Sequence, residues 1–410
     1  MKNKLKKETL FSTAVLVAAL GYFVDIYDLL LFSIIRVPSL KDMGVDAEMI
    51  KTYGEDILTW QMSGLLIGGI IWGVMGDKKG RLSVLMGSIL LYSLANIANG
   101  FVQTVDQYKW IRFIAGIGLA GELGAGITLV AELTAKEKRG IATSLVAGIG
   151  LSGAVLAFVF KETFHWRTCC FIGGGMGLVL LMLRISVLES ELYHKMKNQA
   201  PSKGNFFMLF NSWARFKRYF LTIMIGLPTW LCIGILVTFS KEFGEALQIK
   251  GEIDPGKAIM YAYVAISIGD ILIGFVSQYF KSRKTALYLF FVITSIFILL
   301  FFTMLRESSP QALYWVCAGL GFGTGYWAIF VTMAAEQFGT NIRATATTSI
   351  PNMVRGMLAV MILPMFKYFR LHNDYLEAGI YTSIIIMVIA FFAVWRVEET
   401  FGKDLNFFEK

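Results

Sequence analysis

Apolar residues in this chain gather in runs of about twenty, a length that suits a helix crossing a membrane and not a strand or a surface helix. The runs cover 10–36, 58–76, 83–101, 108–133, 140–160 and 168–188, then 219–240, 257–280, 286–305, 311–335, 343–367 and 376–395. They predict twelve membrane-spanning helices and leave no room for a sizeable soluble domain. The longest polar stretch, Glu189 to Arg218, falls between the sixth and seventh runs. It divides the chain into an N-terminal six-helix bundle (1–188), a linker (189–218) and a C-terminal six-helix bundle with a short tail (219–410). The expected fold is an all-α polytopic membrane protein.

Composition agrees with this pattern. Of the 410 residues, 56% are hydrophobic and only 16% charged, below the roughly 25% charged of a soluble protein. The net charge of +9 comes from basic residues clustered in alternate short loops, such as DKKGR, AKEKRG and KSRK. The positive-inside rule accounts for them and places both termini and the linker in the cytoplasm. No basic patch interleaved with exposed aromatics supports nucleic-acid binding. The N-terminal MKNKLKK precedes an apolar run that continues without a cleavage site, so it is read as part of an uncleaved first helix.

Metal and nucleotide chemistry find little support. Cys169, Cys170, Cys232 and Cys317 lie in apolar runs without ligand spacing, and His165, His194 and His372 form no cluster. GIGLAG (116–121) and GIGLSG (148–153) fit G-x-G-x-x-G. Both sit inside apolar helices, where small residues serve close helix packing, and not at a strand-to-helix turn. No phosphate-binding G-x-x-x-x-G-K-[ST] occurs. Neither a cofactor nor an enzymatic activity is expected.

The two halves echo each other. GGIIWGVMGDKKGRLSVL after the second run corresponds to ISIGDILIGFVSQYFKSRKTAL after the eighth. ELTAKEKRG corresponds to EQFGTNIRA, and in each an acid precedes an Arg by seven residues: Glu132 and Arg139, Glu336 and Arg343. A six-plus-six chain with such repeats is the pattern of a two-bundle secondary transporter.

The segment Gly73 to Arg81, GVMGDKKGR, resembles the cytoplasmic signature of the major facilitator superfamily, and RFIAGIGLAGELGAGITLVAEL from Arg112 resembles its fourth-helix motif. Within the superfamily, DIYD in the first helix, AGE at 120–122, HWR at 165–167 and AEQFGTNIRATATTSIPNMVRG resemble the metabolite:proton symporters of organic acids, zwitterions and sialic acid. EETFGKDL and ESELYHKMK are similar to sugar-porter motifs, only partly matched. The resemblance implies that Asp77 and Arg81 help latch the bundles on the cytoplasmic side, a role extended here to Glu132, Arg139, Glu336 and Arg343.

Ionisable residues inside the membrane are the remaining candidates. Each carboxylate costs about 2.5 to 3.5 kcal/mol at a helix centre, so its presence needs a reason. Asp25 and Asp28 share a helix face and fall beyond the midpoint of the first run, toward the outside. Arg112 enters helix four from that side, so an Asp28–Arg112 pair would titrate within reach of external pH; the alternative is a permanent structural salt bridge. Asp25 stays open between proton carrier, substrate ligand and packing partner. Glu122 is read as a second proton site, a substrate ligand or a protonated structural group. Arg355 suits the grip of an anionic substrate, since guanidinium holds carboxylate in bidentate fashion; a fixed charge partner for Glu122 or a helix-one Asp is the alternative. Trp230, Tyr261, Tyr263, Tyr326 and Trp327 are candidate cavity aromatics. The resulting expectation is a proton-coupled importer of a small anionic or zwitterionic metabolite, monomeric and in a bacterial inner membrane. Uniport, export or ligand sensing without flux are the alternatives.

Overall fold

The computed structural model describes residues 13–122, 124, 126, 130, 139–187, 206–403 and 407–409. The side chains of 13–15, 81–82, 139–140 and 185–187 lie outside that description. Every regular element among the described residues is helical. The first half contains α1 (Thr13–Asp42), α2 (Met49–Lys79), α3 (Arg81–Asn99), α4 (Val105–Leu119), α5 (Arg139–Leu151), α6 (Gly153–Thr163) and α7 (Trp166–Val187). The second half contains α8 (Trp213–Leu231), α9 (Ser240–Ala246), α10 (Pro255–Phe280), α11 (Arg283–Thr303), α12 (Pro310–Thr324), α13 (Trp327–Gln337), α14 (Arg343–Met357), α15 (Leu363–His372) and α16 (Tyr375–Arg396).

Ten stretches among the described residues are long and apolar enough to cross a membrane, and Ser83–Asn99 forms a shorter apolar helix. With α4, they follow the twelve predicted runs. Some runs are built from two pieces. α5 and α6 form one span, as do α12 and α13; α8 continues into a π-turn over Cys232–Val237, and α14 joins α15 through another over Leu358–Ile362. Local chemistry sets several starts. Asp254, Ser282, Ser309 and Asp374 cap the helices that follow them, and Pro255 and Pro310 occupy first-turn positions where their missing N–H is harmless.

Two expected boundaries shift. The first span extends to Asp42, six residues beyond the expected end at 36. α8 begins at Trp213, within the expected linker. The end of the molecule at which α7 finishes and α8 begins is called here the linker end, and the opposite one the far end.

The halves meet mainly through α2 against α14 and α5 against α10. Glycines allow the first approach: a Cβ at Gly73 would stand 3.0 Å from the Thr345 main-chain oxygen, and one at Gly69 only 2.6 Å from Asn352 Cβ.

Candidate functional site

The halves touch at both ends and part slightly between them. At the linker end, Asp77 of α2 accepts from the Ala344 and Thr345 amides (3.2 and 2.7 Å) and from Thr345 Oγ1 (2.5 Å). It thus occupies the N-terminus of α14, where backbone N–H groups favour an anion. Thr143 of α5 and Thr332 of α13 share a 2.8 Å hydrogen bond. At the far end, Arg36 pairs with Glu242 at 3.0 Å, and buried Glu55 takes both Lys367 (3.0 Å) and Arg370 (2.9 Å). Lys161 pairs with Asp254 at 2.7 Å. The sequence reading missed all of these far-end pairs; the acidic and basic residues flanking the spans were their only trace.

Between the two closures lies a cavity of about 20 Å³, room for roughly one water molecule. Its walls are aromatic (Tyr22, Trp230, Tyr263, Trp327) and aliphatic (Ile26, Leu29, Leu151, Ile266), with Thr229, Thr324 and Arg355 as the polar members. Four donors on these walls are buried without a hydrogen-bond partner among the described residues: Thr229 Oγ1, Trp230 Nε1, Trp327 Nε1 and Arg355 Nε. Arg355 Nη1 donates to Asn352 Oδ1 at 3.3 Å, and its guanidinium lies 5.8 Å from the Trp327 ring centre. No ion pair engages Arg355 among the described residues. A buried donor without a partner costs about 1–3 kcal/mol, so four around one small space mark a place built for an acceptor.

The predicted residues divide accordingly. Arg355, Trp230 and Trp327 line the cavity as expected. Tyr261 does not: it is half-buried, accepts from Gln311 at 3.1 Å and stacks beside Tyr314 and Trp315. Two positions along a helix turn a side chain by about 200°, and Tyr263 is the residue that faces the cavity. Tyr326 is also absent from the walls; its hydroxyl donates to Ile225 O at 3.1 Å and its ring packs on Phe291.

The acids find unexpected partners. The Asp28 side chain does not bond Arg112. Asn96 Nδ2 donates to Asp28 Oδ1, while Arg112 donates to Gln61 Oε1 (2.9 Å) and to the Asp28 main-chain oxygen (3.0 Å). Asp28 Oδ2 has no partner among the described residues. Arg112 therefore holds the backbone of α1 and leaves the carboxyl to the Asn. Glu122 is gripped by both terminal nitrogens of Arg184 on α7, one at 3.0 Å, and is not the partner of Arg355. Asp25 is fully buried and neither of its oxygens has a hydrogen-bond partner among the described residues; Arg355, Glu122 and Arg184 are the charged groups around it.

Among the predicted gate residues, Glu336 pairs with Arg283 at 3.0 Å and accepts from Thr400 at 2.8 Å. Arg343 Nε donates to Ala335 O at 3.2 Å. These contacts stay inside the second half. Glu132 lies outside the described residues, as do the side chains of Arg81 and Arg139.

Two helical halves joined by polar contacts at both ends, a central cavity between them and broken helices near its level are the features of a secondary transporter. The comparisons specify which. The model of the Major Facilitator Superfamily matches residues 18–364, and the chain belongs to that superfamily. It is 26% identical over 408 residues to the sialic acid transporter NanX of Escherichia coli, covering 96% of this chain and 93% of that protein. It is 24% identical over 439 residues to the niacin transporter NiaP of Acinetobacter baylyi, covering 96% and 95%. Its fold matches the solved structure of the proton:xylose symporter XylE with a TM-score of 0.75 at 16% identity, over 96% of this chain and 97% of that one. The chain is a membrane transporter of small metabolites, not an enzyme.

Proposed function

We propose that the chain imports a small organic acid together with a proton, across a bacterial inner membrane with both termini in the cytoplasm and as a monomer. The observation that carries this reading is the set of unpartnered donors, Thr229 Oγ1, Trp230 Nε1, Trp327 Nε1 and Arg355 Nε, on one aromatic-walled cavity. A carboxylate supplies two acceptor oxygens and the compensating charge for Arg355; the aromatic faces suit a flat apolar body. The two relatives above are named for sialic acid and niacin, both carboxylic acids.

Asp25 gives a route to coupling. It and the cargo's carboxylate would compete for the single Arg355 charge. Cargo is accepted when a proton has neutralised Asp25, so one proton enters with each anion. Asp28, one helical turn away and half-satisfied by Asn96, is the second proton site to test. Asp77 at the N-terminus of α14 closes the linker end, and the Glu55 and Arg36 pairs close the far end. Each proton moving down about 150 mV contributes roughly 3.5 kcal/mol, though import of a monoanion with one proton is electroneutral and draws on the pH gradient alone.

The test is uptake into proteoliposomes after a thermal-shift screen of organic acids, betaines, sugars and amino acids. Acids are expected to stabilise the protein and a pH jump to drive their accumulation. Arg355→Lys and Trp230→Phe should each weaken acid binding about 10- to 100-fold, the range of a charge-assisted hydrogen bond. Asp25→Asn should bind and exchange the acid but lose pH-driven accumulation. Accumulation of a neutral sugar, or wild-type accumulation by Asp25→Asn and Asp28→Asn together, would discard the scheme; flux indifferent to pH would make the protein a uniporter.

A further inference from the structure

Asp270 was not among the candidate site residues, and nothing in the scheme above uses it. It is fully buried at the middle of the Pro255–Phe280 span. Its Oδ1 accepts from the Ala328 amide at 2.9 Å, with the Trp327 amide beside it, and its Oδ2 has no hydrogen-bond partner among the described residues.

Ala328 is the second residue of α13, the inner piece of a span interrupted between Thr324 and Trp327. A helix start leaves backbone N–H groups without intrahelical partners, and a polar side chain just before the helix commonly takes one. Tyr326 stands at that position and provides no side-chain cap. Asp270 supplies the cap from the neighbouring helix instead. The approach needs two glycines: a Cβ on Gly325 would meet Gly269 Cα at 2.7 Å and the Asp270 nitrogen at 2.9 Å. The element so held carries two working parts. Trp327, its first residue, is a wall of the cavity, and Thr332 makes the bond to Thr143 across the halves.

We propose that Asp270 is a proton-responsive positioning residue: as a carboxylate it pins the start of α13, and on protonation it loosens α13 together with the Trp327 wall and the Thr332 contact. The inference rests on the proton-coupled reading above and assigns it a second proton-accepting group in the other half. A hydrogen bond to an ionised acceptor is roughly twice as strong as a neutral one, so protonation weakens the cap without abolishing it. The surroundings leave the carboxyl dependent on that cap. The titratable groups that sense it are Tyr22 of α1 and Tyr326 at the break. From α5, α6, α9, α11, α12, α13 and the Cys232–Val237 π-turn, which also pack on α10, no charged group among the described residues acts on it.

Hydrogen–deuterium exchange of the purified full chain, without substrate, reads the cap directly. After correction for intrinsic exchange, peptides covering 325–333 are expected to lose about tenfold protection as pH falls from 8.5 to 5.5, while those covering 283–303 do not change. Asp270→Asn keeps an acceptor oxygen but cannot titrate, so its protection should be the same at every pH. Asp270→Ala should be poorly protected throughout. In uptake assays Asp270→Asn should flatten the pH profile of the maximal rate while leaving KM within about twofold. A pH-independent 325–333 segment in the wild type overturns the proposal, as does an Asn variant that keeps the wild-type dependence. If neither variant folds, the wild-type contrast between 325–333 and 283–303 decides alone. Acid binding to Arg355 is measured on the same preparations; its failure with the exchange contrast intact would remove the substrate reading and leave Asp270 standing.

Discussion

Asn352 of α14 donates to the main-chain oxygen of Ala120 across the interface between the halves, at 2.7 Å, and its own Oδ1 accepts from Arg355 at 3.3 Å. One side chain thus touches both the cavity's cation and the closure at the linker end. A cargo carboxylate that draws Arg355 forward would pull on the residue that holds the halves together. Asn352→Ala is expected to leave folding intact, since the second donation to Thr348 O at 2.8 Å stays within its own helix. It should weaken linker-end closure by about 1 kcal/mol, the net value of one hydrogen bond. The change would be read as a several-fold rise in the open population by electron–electron distance measurements.

The buried pair of Glu122 and Arg184, 1% and 3% exposed, should behave as a structural clamp. Glu122→Gln leaves a buried guanidinium without its counter-charge, at a cost of about 3–5 kcal/mol. The double variant Glu122→Leu with Arg184→Met is expected to recover most of it. Melting temperatures in detergent check both. A single variant as stable as wild type would mean that the clamp carries no weight and that Glu122 is free for proton transfer.

Asp77 and Glu55 close opposite ends, so their loss should push the equilibrium in opposite directions. Asp77→Asn weakens the charged acceptor at the α14 N-terminus by about 1–2 kcal/mol, favouring opening at the linker end roughly 5- to 30-fold. Glu55→Gln frees Lys367 and Arg370 and should favour opening at the far end. Spin labels at Lys78 and Tyr279, both exposed, should move apart in the first variant and not in the second.

Glu399, beyond the last span, should make stability fall in acid. Burial opposes its charged form, but hydrogen bonds from Ser282 Oγ and the Arg283, Phe401 and Lys284 amides outweigh this and hold its carboxyl below the ordinary 4.5. A carboxyl depressed on folding stabilises above its unfolded value, and the contribution is lost as pH falls through the folded one. Melting temperature is therefore expected to decline below about pH 4.5 more steeply in the wild type than in Glu399→Gln.

Much of this architecture was legible beforehand. Run length located the spans, because a membrane demands about twenty apolar residues in a row, and the placing of Arg355 near mid-membrane follows from the same count. Asp77 was legible through its motif. Partners were not. Arg184 is one basic residue near the end of a helix, and nothing in spacing says that it reaches Glu122, 62 positions away. Tyr261 and Tyr263 were both candidates, and only Tyr263 faces the cavity; that choice reflects helix rotation, which the packed neighbours decide and an all-round apolar sequence does not record. Helix breaks were hidden as well. GTGYW reads as an aromatic cluster until Gly269 and Gly325 are seen in contact, and then the Asp at 270 ceases to be an isolated oddity.

The cavity of about 20 Å³ bears on how any affinity will be measured. It cannot admit an organic acid, so carriers in this shape are invisible to ligand, and only the fraction open at one end can take it up. Apparent Kd then equals the intrinsic constant divided by that fraction. A carrier that is open one time in a hundred would look a hundredfold weaker than its contacts are. Variants that loosen either closure should consequently appear as tighter binders while transporting more slowly, and a screen ranked on affinity alone would select broken gates.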